Sequence, residues 1–403
     1  MSKSSTTSFH TLPVELFYRI LDHQSEYTIV FSMRNICRRF NRIIDSYDRY
    51  QTLTEIQIKH NSIGVEEAKT LGDVLSNTTI NRLNLQSNAI GCRGARYLAD
   101  GLKNNTTLTT LNLAYTRIED QGVQYLADGL KDNKTLRELN LNENKIGDEG
   151  IQCLANALKN NTSLTILGLV YNYIGCKGAQ YLAGALEGNQ SLTILQLGCN
   201  KIGYEGAQYI ANMLKENTTL TGLELESNEI KDEGARFLAD ALKTNTTLTA
   251  LNLRGNIITD IGTQHLADVL KNSMTIMKFN LGANRIKVRG AQYLADLLSK
   301  NTTLIELEIW GNEIGNDGVQ YIADTLSNNR TLTHLDLGRN SIGEQGLLSL
   351  APALQSNTTL IELNLRQNCT TTQGEQYFMD TLGNNRTLKA LWLQYHLYRP
   401  NLH

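Results

Sequence analysis

A unit of 28 residues repeats along this chain of 403 residues, and it constrains the fold more than any other feature. Asn144 marks one copy, and asparagine recurs at the same spacing at Asn172, Asn200, Asn228, Asn256, Asn284, Asn312, Asn340 and Asn368. Upstream, Thr116 and Asn88 keep the spacing, and Asn61 falls one residue short of it. A fixed period of this length is typical of a solenoid, in which each copy packs against its neighbours.

Each copy predicts one short strand followed by one helix. In the copy at residues 136–163, Leu139 and Leu141 alternate with Asn140, which is the pattern of a strand with one buried face. The second half of the copy carries apolar residues at helical spacing, at Ile151, Leu154, Ala155 and Leu158. This alternation of strands and helices predicts an α/β fold.

Polar residues mark the ends of each predicted helix. Asp148 is the expected N-cap of its own helix, because its carboxylate can accept from a free backbone N–H. Asn160 or Asn161 is the expected left-handed residue that ends the helix. The repeated Asn-x-Thr and Asn-x-Ser sequences, such as the one at Asn217, are interpreted as the turn from helix to strand and not as glycan acceptors.

Stacked copies are predicted to form a horseshoe. Neighbouring strands lie about 4.8 Å apart and packed helices about 8–10 Å apart, so the parallel sheet should line the concave face and the helices the convex face. Thirteen strands are expected, the first near Ile56 and the last near Trp392. Asn144 and its equivalents should point inward, where the amide satisfies backbone groups that water does not reach.

The pattern L-x-x-L-x-L-x-x-N-x-I resembles a leucine-rich repeat. The repeat length and the ending N-x-I-G-x-x-G-A-x-x-L-A-x-x-L are similar to the ribonuclease-inhibitor class, especially the repeats of NOD-like receptors. This resemblance covers residues 52 to about 396 and implies a leucine-rich-repeat solenoid. A fold of this kind does not by itself assign a function.

Residues 9–50 differ from the repeats and predict two amphipathic helices, after a disordered tail at residues 1–8. The sequences LPVELFYRIL and MRNICRRFNRII resemble an F-box. The resemblance implies contact with a Skp-type adaptor through Leu12, Pro13, Leu16, Ile20, Leu21, Ile36, Cys37 and Phe40. Polar residues 23–25 and the phenylalanine at position 40 depart from the usual F-box pattern. The helices are therefore interpreted either as an F-box or as a cap on the first repeat.

Residues 51–403 are expected to form the leucine-rich-repeat domain, with about twelve full repeats and a partial repeat at the end. Pro352 should kink its helix. The twelfth repeat replaces the usual isoleucine by Thr370 and the usual alanine by Glu375. The core is expected to be closed at this end by Trp392, Tyr395 and Tyr398.

The charge balance argues against partners that need a strongly charged surface. With 38 basic and 40 acidic residues, the net charge is −2, so no binding of nucleic acid or of a membrane surface is expected. The sequence has no apolar run of 18 residues and no secretory signal, which predicts a cytoplasmic protein, with nuclear presence also possible. The six cysteines lack metal-ligand spacing and are expected to be free thiols.

The strand positions that point away from the core form the candidate binding face. Exposed Trp, Tyr and Arg side chains are frequent hot spots of protein interfaces. The candidate partner-binding residues are Tyr115, Val170, Tyr171, Glu224, Glu226, Arg254, Lys278, Glu306, Glu308, Trp310, Arg339 and Arg366. Trp310 is expected to be exposed beside Glu308. The alternative is a solvated face with balanced charges.

No enzymatic activity, cofactor or metal is expected. Glu224 and Glu226 share a strand face, but no catalytic histidine or metal ligand accompanies them, and the pair should not be buried. The sequence has no G-x-x-x-x-G-K-[ST] loop, so the nucleotide-binding module of NOD-like receptors is missing from it.

These patterns favour an F-box and leucine-rich-repeat substrate adaptor of an SCF-type ubiquitin ligase. The partner protein would bind the concave face, and the Skp-type adaptor would bind the N-terminal helices. The alternative is a non-enzymatic leucine-rich-repeat scaffold or a NOD-like-receptor-type sensor. The repeats are also similar to those of Ran GTPase-activating proteins, whose long acidic tail is absent from this sequence.

Overall fold

The computed structural model describes residues 54–75, 80–394 and 397–398. Short strands and helices alternate throughout this part of the chain, which confirms the predicted leucine-rich-repeat solenoid. The predicted tail, the F-box-like helices and Tyr395 lie outside the described residues.

The described residues contain thirteen strands of three residues each and one shorter strand at the end. The strands are β1 Glu55–Gln57, β2 Arg82–Asn84, β3 Thr110–Asn112, β4 Glu138–Asn140, β5 Ile166–Gly168, β6 Ile194–Gln196, β7 Gly222–Glu224, β8 Ala250–Asn252, β9 Lys278–Asn280, β10 Glu306–Glu308, β11 His334–Asp336, β12 Glu362–Asn364, β13 Ala390–Trp392 and β14 Leu397–Tyr398. The first and last of the thirteen lie where the repeat spacing predicts them.

One helix follows each of the strands β1 to β12. The helices are α1 Val65–Leu75, α2 Gly91–Asn104, α3 Glu119–Asp132, α4 Asp148–Leu158, α5 Cys176–Leu186, α6 Gly203–Glu216, α7 Lys231–Leu242, α8 Asp260–Leu270, α9 Val288–Lys300, α10 Gly315–Leu326, α11 Glu344–Ser356 and α12 Thr372–Thr381. A 3-10 turn at Leu382–Asn384 follows the last of them. Helix α11 continues through Pro352.

The chain divides into two compact units. Of the described residues, the first unit comprises residues 54–75, 80–146 and 156–168, and the second comprises residues 147–155, 169–394 and 397–398. In the first unit, β1 to β5 pair in chain order as parallel strands. In the second unit, β6 to β13 do the same, with equivalent residues of successive repeats side by side.

Each repeat buries one side of its strand and one side of its helix. In the repeat that contains β10, Leu307 and Ile309 are fully buried, and so are Val319 and Ile322 of α10. The first and third residues of the strand point the other way and are only half-buried. We call this second side of the strands, together with the residue two positions beyond each strand, the open face.

The buried asparagines form the predicted ladder between repeats. The Asn144 amide donates to the carbonyl oxygen of Leu113 in the preceding repeat, at 2.7 Å. Its Oδ1 accepts from the backbone N–H groups of Thr116 and Ile118, each at 3.1 Å. Thr116 itself replaces the ladder asparagine with a hydroxyl that donates to Leu113 O. The ladder therefore satisfies backbone groups that the core hides from water.

A second ladder of buried asparagines lies at the turns from helix to strand. Asn160 or Asn161 is the predicted left-handed residue, and that prediction is wrong: neither has a positive φ, and at Asn133, the equivalent of Asn161, φ is −72° and ψ is 130°. The Asn161 amide donates to Leu130 O at 2.9 Å, and its Oδ1 accepts from Leu164 N at 2.8 Å. The side chain thus ties one turn to the turn before it, which an extended backbone allows.

The predicted N-cap at Asp148 is also wrong. Helix α4 begins at Asp148, and the Asp148 carboxylate reaches the helix of the following repeat. Its Oδ1 accepts from Gly175 N at 2.7 Å and from Gly178 N at 2.9 Å. The reason is geometric: the free N–H groups at the start of α5 lie beside this carboxylate in the stack.

The C-terminal end of the repeats differs from the prediction in one respect. Strand β14 pairs antiparallel with β13 and covers its edge. Trp392 is half-buried on the open face, while its neighbours Leu391 and Leu393 are the core residues. Trp392 therefore does not close the core. The unusual Glu375 is fully buried and accepts from Thr370 Oγ1 at 2.6 Å, so that the two substitutions compensate each other.

Candidate partner-binding face

Most of the predicted partner-binding residues lie on the open face of the second unit. Glu224, Lys278, Glu306 and Glu308 are strand residues of β7, β9 and β10. A second group lies two residues beyond the strands and comprises Glu226, Arg254, Trp310 and Arg366. The 28-residue register brings these side chains into adjacent rows.

Trp310 is half-buried and not exposed as the sequence suggests. Its indole extends over Gly282 of the preceding repeat, where an added Cβ would lie 2.5 Å from Trp310 Nε1. The guanidinium of Arg254 stacks on the indole, 4.6 Å from the ring centroid. Such stacking is worth about 0.5–1 kcal/mol at an accessible site. The three residues therefore form a fixed aromatic and cationic platform.

Amide side chains hold the carboxylates of this face in place. Asn364 Nδ2 donates to Asp336 Oδ2 at 3.0 Å, and Gly338 N donates to Asp336 Oδ1 at 2.8 Å. Asn280 Nδ2 donates in the same way to Glu308 Oε2. The two pairs made by asparagine join neighbouring repeats, so that each carboxylate is oriented by the strand beside it.

The carboxyl groups of Glu308 and Asp336 resist ionisation. Burial raises the pKa of Glu308, and the negative charges of Glu306 and Asp336 raise it further. Burial also raises the pKa of Asp336, against the lowering effect of its hydrogen bonds. Partial desolvation of a carboxylate favours its neutral form. The face thus keeps acidic groups in an environment that does not fully compensate their charge.

Glu306 and Glu362 have basic neighbours. Lys278 Nζ lies 2.8 Å from Glu306 Oε2. Burial favours the neutral form of Glu306, but the hydrogen bond and charge of Lys278 outweigh it and lower the pKa of Glu306. His334 Nε2 lies 3.8 Å from Glu362 Oε1.

The expectation that the pair Glu224 and Glu226 is not buried holds only in part. Glu226 lies over Gly198, and burial, together with the charge of Glu224, raises the pKa of Glu226. Asn252 Nδ2 donates to Glu226 Oε2 at 3.2 Å.

Two shallow cavities lie side by side on this face. The first has a volume of about 300 Å³, and small residues such as Gly222 and Ala250 line it beside Lys278. The second has a volume of about 260 Å³ and is lined by Glu362, Asp336 and other residues described below. Glu306 and Glu308 line both cavities. Their volumes lie at or just below the lower end of the range for pockets that hold drug-sized ligands.

The remaining predicted residues do not join this arrangement. Tyr115 belongs to the first unit, where it is 57% exposed and lines a depression with His60 and Arg117. Tyr171 and Arg339 are exposed turn residues with positive φ values of 55° and 51°. Val170 is half-buried.

Sequence reasoning missed several residues of the second cavity, namely His334, Asp336, Glu362, Asn364 and Trp392. The signal was available, because these residues occupy the same repeat positions as the predicted residues Glu306 and Glu308. A column-by-column reading of the repeats would have found them.

Within the described residues, no group of three or more His, Cys, Asp or Glu side chains is placed to hold a metal ion. In this same part of the chain, Cys92, Cys153, Cys176, Cys199 and Cys369 are not in disulfide bonds. No helix of the described residues is long and apolar enough to cross a membrane.

Comparison with solved structures places the fold among leucine-rich-repeat proteins. An internalin (inlF) from Listeria monocytogenes is 22% identical, with a TM-score of 0.53 over 96% of this chain and 93% of that chain. Rad7 in the yeast Rad7 and Elc1 complex is 18% identical, with a TM-score of 0.55 over 94% of this chain and 85% of that chain. Leiomodin-1 Actin-Binding Site 2 is 23% identical, with a TM-score of 0.33 over 36% of this chain and 86% of that chain. No curated protein matches this chain significantly.

Two family models match the sequence. The Leucine Rich repeat model matches residues 76–99, 188–211, 216–239 and 244–267. Repeats of this class indicate a scaffold for protein–protein interaction. The TMOD/LMOD Leucine-rich domain model matches residues 94–172 and 263–401, which is more than half of the chain, and the chain therefore belongs to this family.

Proposed function

We propose that this protein holds a partner protein on the open face of β8 to β13 and presents it to a ubiquitin ligase through its F-box-like N-terminal residues. The observation that carries the first half is the platform of Arg254, Gly282 and Trp310 beside two cavities. Aromatic and arginine side chains dominate interface hot spots. Side chains already held in position lose little conformational entropy on binding, which favours affinity.

The open face contains the features expected of such an interface. Trp310 offers apolar area, and the flanking carboxylates and cations offer complementarity of charge, which favours specificity and association rate. The repeats require only the buried positions of each strand to be leucine-like. The open positions are free to differ, and between β8 and β12 they differ in charge and size.

The binding half is tested by substituting the platform in the full chain. Trp310→Ala with Arg254→Ala should abolish capture of the protein that the wild-type chain retains from a cell extract. Tyr321→Ala is the matched control, because Tyr321 is an exposed aromatic residue on the helix side of the second unit. Loss of the partner from both variants, or its retention by both, would contradict the proposed face.

The adaptor half rests on the resemblance of residues 12–40 to an F-box. Leu12→Ala with Pro13→Ala in the full chain should remove a co-purifying Skp-type adaptor and leave capture of the open-face partner unchanged. An intact chain that never retains the adaptor would leave a partner-binding scaffold without a ligase, which is the alternative function.

Actin is a second candidate partner, and membership of the TMOD/LMOD leucine-rich domain family favours it. Leiomodin-1 Actin-Binding Site 2 is, by its name, an actin-binding part of leiomodin-1. Co-sedimentation of the full chain with filamentous actin, and gel filtration with monomeric actin, test this candidate. Binding to actin that Trp310→Ala weakens would make actin the partner, and absence of binding to both forms would remove it.

A further inference from the structure

We infer that the open face binds a basic, extended segment of its partner protein, with an arginine or lysine side chain in the cavity between Glu306 and Trp392. The inference rests on the proposed binding face and adds the chemistry of the partner.

The lining of this cavity contains more negative than positive charge. The cavity of about 260 Å³ is lined by four carboxyl groups, those of Glu306, Glu308, Asp336 and Glu362. The fixed positive charge in its lining is that of Arg366, and His334 adds one more when it is protonated. Lys278 lies beside Glu306 but belongs to the lining of the neighbouring cavity. The cavity therefore complements a cationic ligand.

The carboxylates of Glu308 and Asp336 are oriented before any ligand arrives. Asn280 donates to one oxygen of Glu308, and Asp336 accepts from Asn364 at Oδ2 and from Gly338 N at Oδ1. A carboxylate can accept about four hydrogen bonds, so acceptor capacity remains. A guanidinium carries five donors in a planar fork and an ammonium carries three. Either group can bridge neighbouring carboxylates with charge-assisted hydrogen bonds.

The volume of the cavity suits a single side chain. A cavity of about 260 Å³ accepts a side chain, whereas a cofactor or a folded element would need more room. The neighbouring cavity of about 300 Å³ shares Glu306 and Glu308 with it. The first cavity is lined by residues of β6 to β10 and the second by residues of β10 to β13, so their centres lie roughly three to four strands, or about 17 Å, apart. An extended segment of about five residues spans that distance.

Trp392 gives the cavity an aromatic wall that can attract a cation. Trp392 lines the cavity and is half-buried there. On the same face, the guanidinium of Arg254 already stacks on Trp310. An arginine that enters the cavity can make the equivalent contact with Trp392, since cations are attracted to the face of an indole ring. A neutral or acidic side chain would gain neither this contact nor the charged hydrogen bonds.

The probe for this inference is a fluorescein-labelled (Gly-Arg)4 peptide and the full chain. In an extended peptide every second side chain points the same way, so that this sequence fits the cavity in any register. The charge control is (Gly-citrulline)4, which has the same shape without the charge. We expect the wild-type chain to bind (Gly-Arg)4 at pH 7 and to bind the citrulline peptide at least about tenfold more weakly, which corresponds to about 1.4 kcal/mol.

The decisive comparison uses two double variants that remove the same net charge. Glu308→Gln with Asp336→Asn neutralises the cavity while preserving its shape. Glu187→Gln with Glu216→Gln neutralises exposed carboxylates at the C-terminal ends of α5 and α6. The first pair should weaken (Gly-Arg)4 binding by at least about tenfold, because it removes two charge-assisted acceptors of the ligand's guanidinium. The second pair should leave the affinity within twofold. Circular dichroism verifies that both fold.

Equal affinities of the two double variants would overturn the inference, and so would equal binding of the citrulline peptide. Failure of the inference is separable from failure of the proposed function. A partner that is lost with the Trp310→Ala and Arg254→Ala pair, but kept with Glu308→Gln and Asp336→Asn, leaves the face as the binding site and removes only its preference for basic segments.

Discussion

Thr259 donates its backbone N–H to the carboxylate Oδ1 of Asp232 at 2.8 Å, so that the helix of one repeat is capped by the repeat before it. Gly262 N donates to the same oxygen at 2.9 Å. Thr259 is extended, with φ −102°. Lys231 holds the equivalent position one repeat earlier, and the residue equivalent to Asp232 in the repeat before it is Tyr204. Lys231 has a φ of +59°, and its N–H donates to Asn256 O at 2.9 Å.

The same dependence on the preceding repeat is seen at other turns. The turn residue, three positions after each ladder residue, has an extended backbone where the preceding repeat has Asp, Asn or Glu at the position equivalent to Asp232. This is the case at Gly175, Thr259, Lys287, Gly343 and Thr371. It is left-handed where the preceding repeat offers Val, Cys or Tyr, at Gly91, Glu119, Gly203, Lys231 and Gly315. The choice follows from hydrogen bonding: without a carboxylate or amide behind it, the N–H turns to a backbone carbonyl of the next repeat.

Removing this cap should destabilise the second unit. Asp232→Ala leaves Thr259 and Gly262 without their acceptor, and loss of an N-cap costs about 0.5–2 kcal/mol. The alternative left-handed turn is unfavourable for the β-branched Thr259, so we expect a cost near the upper end. The measurement is the free energy of unfolding in urea. Glu233→Ala, at the adjacent exposed position, should change it by less than about 0.5 kcal/mol; equal losses would contradict the cap.

We expect Asn329 of the second asparagine ladder to be essential for stability and its exposed neighbour Asn328 to be dispensable. Asn329 is buried, donates to Leu298 O at 2.8 Å and accepts from Leu332 N at 2.8 Å. Asn328 is exposed. Asn329→Ala leaves buried backbone groups unsatisfied and should cost at least about 2 kcal/mol of unfolding free energy. Asn328→Ala should leave the urea midpoint nearly unchanged, and a similar effect of the two would refute the ladder.

The position of Trp310 should depend on the absence of a side chain at residue 282. Gly282→Ala places a Cβ 2.5 Å from Trp310 Nε1, so the indole must move away from Arg254. The sequence contains two tryptophans, and Trp392→Phe isolates the fluorescence of Trp310. In that background we expect a shift of the emission maximum and weaker partner binding.

Gly184→Ala is the control for this substitution. An added Cβ at Gly184 of α5 meets nothing within 4 Å, and alanine in a helix is favoured over glycine by roughly 0.5–1 kcal/mol. Emission should stay unchanged in this variant. An unshifted spectrum for Gly282→Ala would show that the platform does not need the glycine.

Glu308 should make stability fall as the pH rises. Burial and the charges of Glu306 and Asp336 raise the pKa of Glu308 in the folded chain, whereas Arg254 lowers it. The folded chain therefore binds more protons than the unfolded chain above the ordinary carboxyl pKa of about 4.3, and this group destabilises the fold at neutral pH. Glu308→Gln should melt at a higher temperature than the wild type at pH 7.

The difference should close as the pH falls below about 4, because Glu308 is then protonated in both states. Lys278 and His334 also face this cluster, so the comparison is made between variants at each pH and not across pH values. A wild type that melts higher than Glu308→Gln at pH 7 would contradict the raised pKa.

The repeat period was enough to predict the strands, the helices and the first asparagine ladder, because each depends on one repeat and its fixed spacing. Asp148 and Asn161 were misassigned for a common reason: their partners belong to adjacent repeats, and reading each copy in isolation assigned them to their own helix. Both errors came from local rules that the stacking overrides.

The binding face was predictable as a set of positions and not as a site. The sequence places Arg254 and Trp310 two repeats apart, but their contact requires the indole to fold over Gly282, which depends on rotamer and on the missing side chain. Likewise, the amides that orient Glu308 and Asp336 look like ordinary strand asparagines until the register pairs them.

Site-specific photo-cross-linking tests the central claim, that the open face of the second unit holds the partner protein. A photoreactive phenylalanine analogue replaces His334, which lines the cavity on β11, or Tyr321, which is exposed on the helix side. Illumination of cells that express each full-length variant should yield a discrete heavier adduct from position 334 and none from position 321. Adducts from position 321 alone would contradict the account.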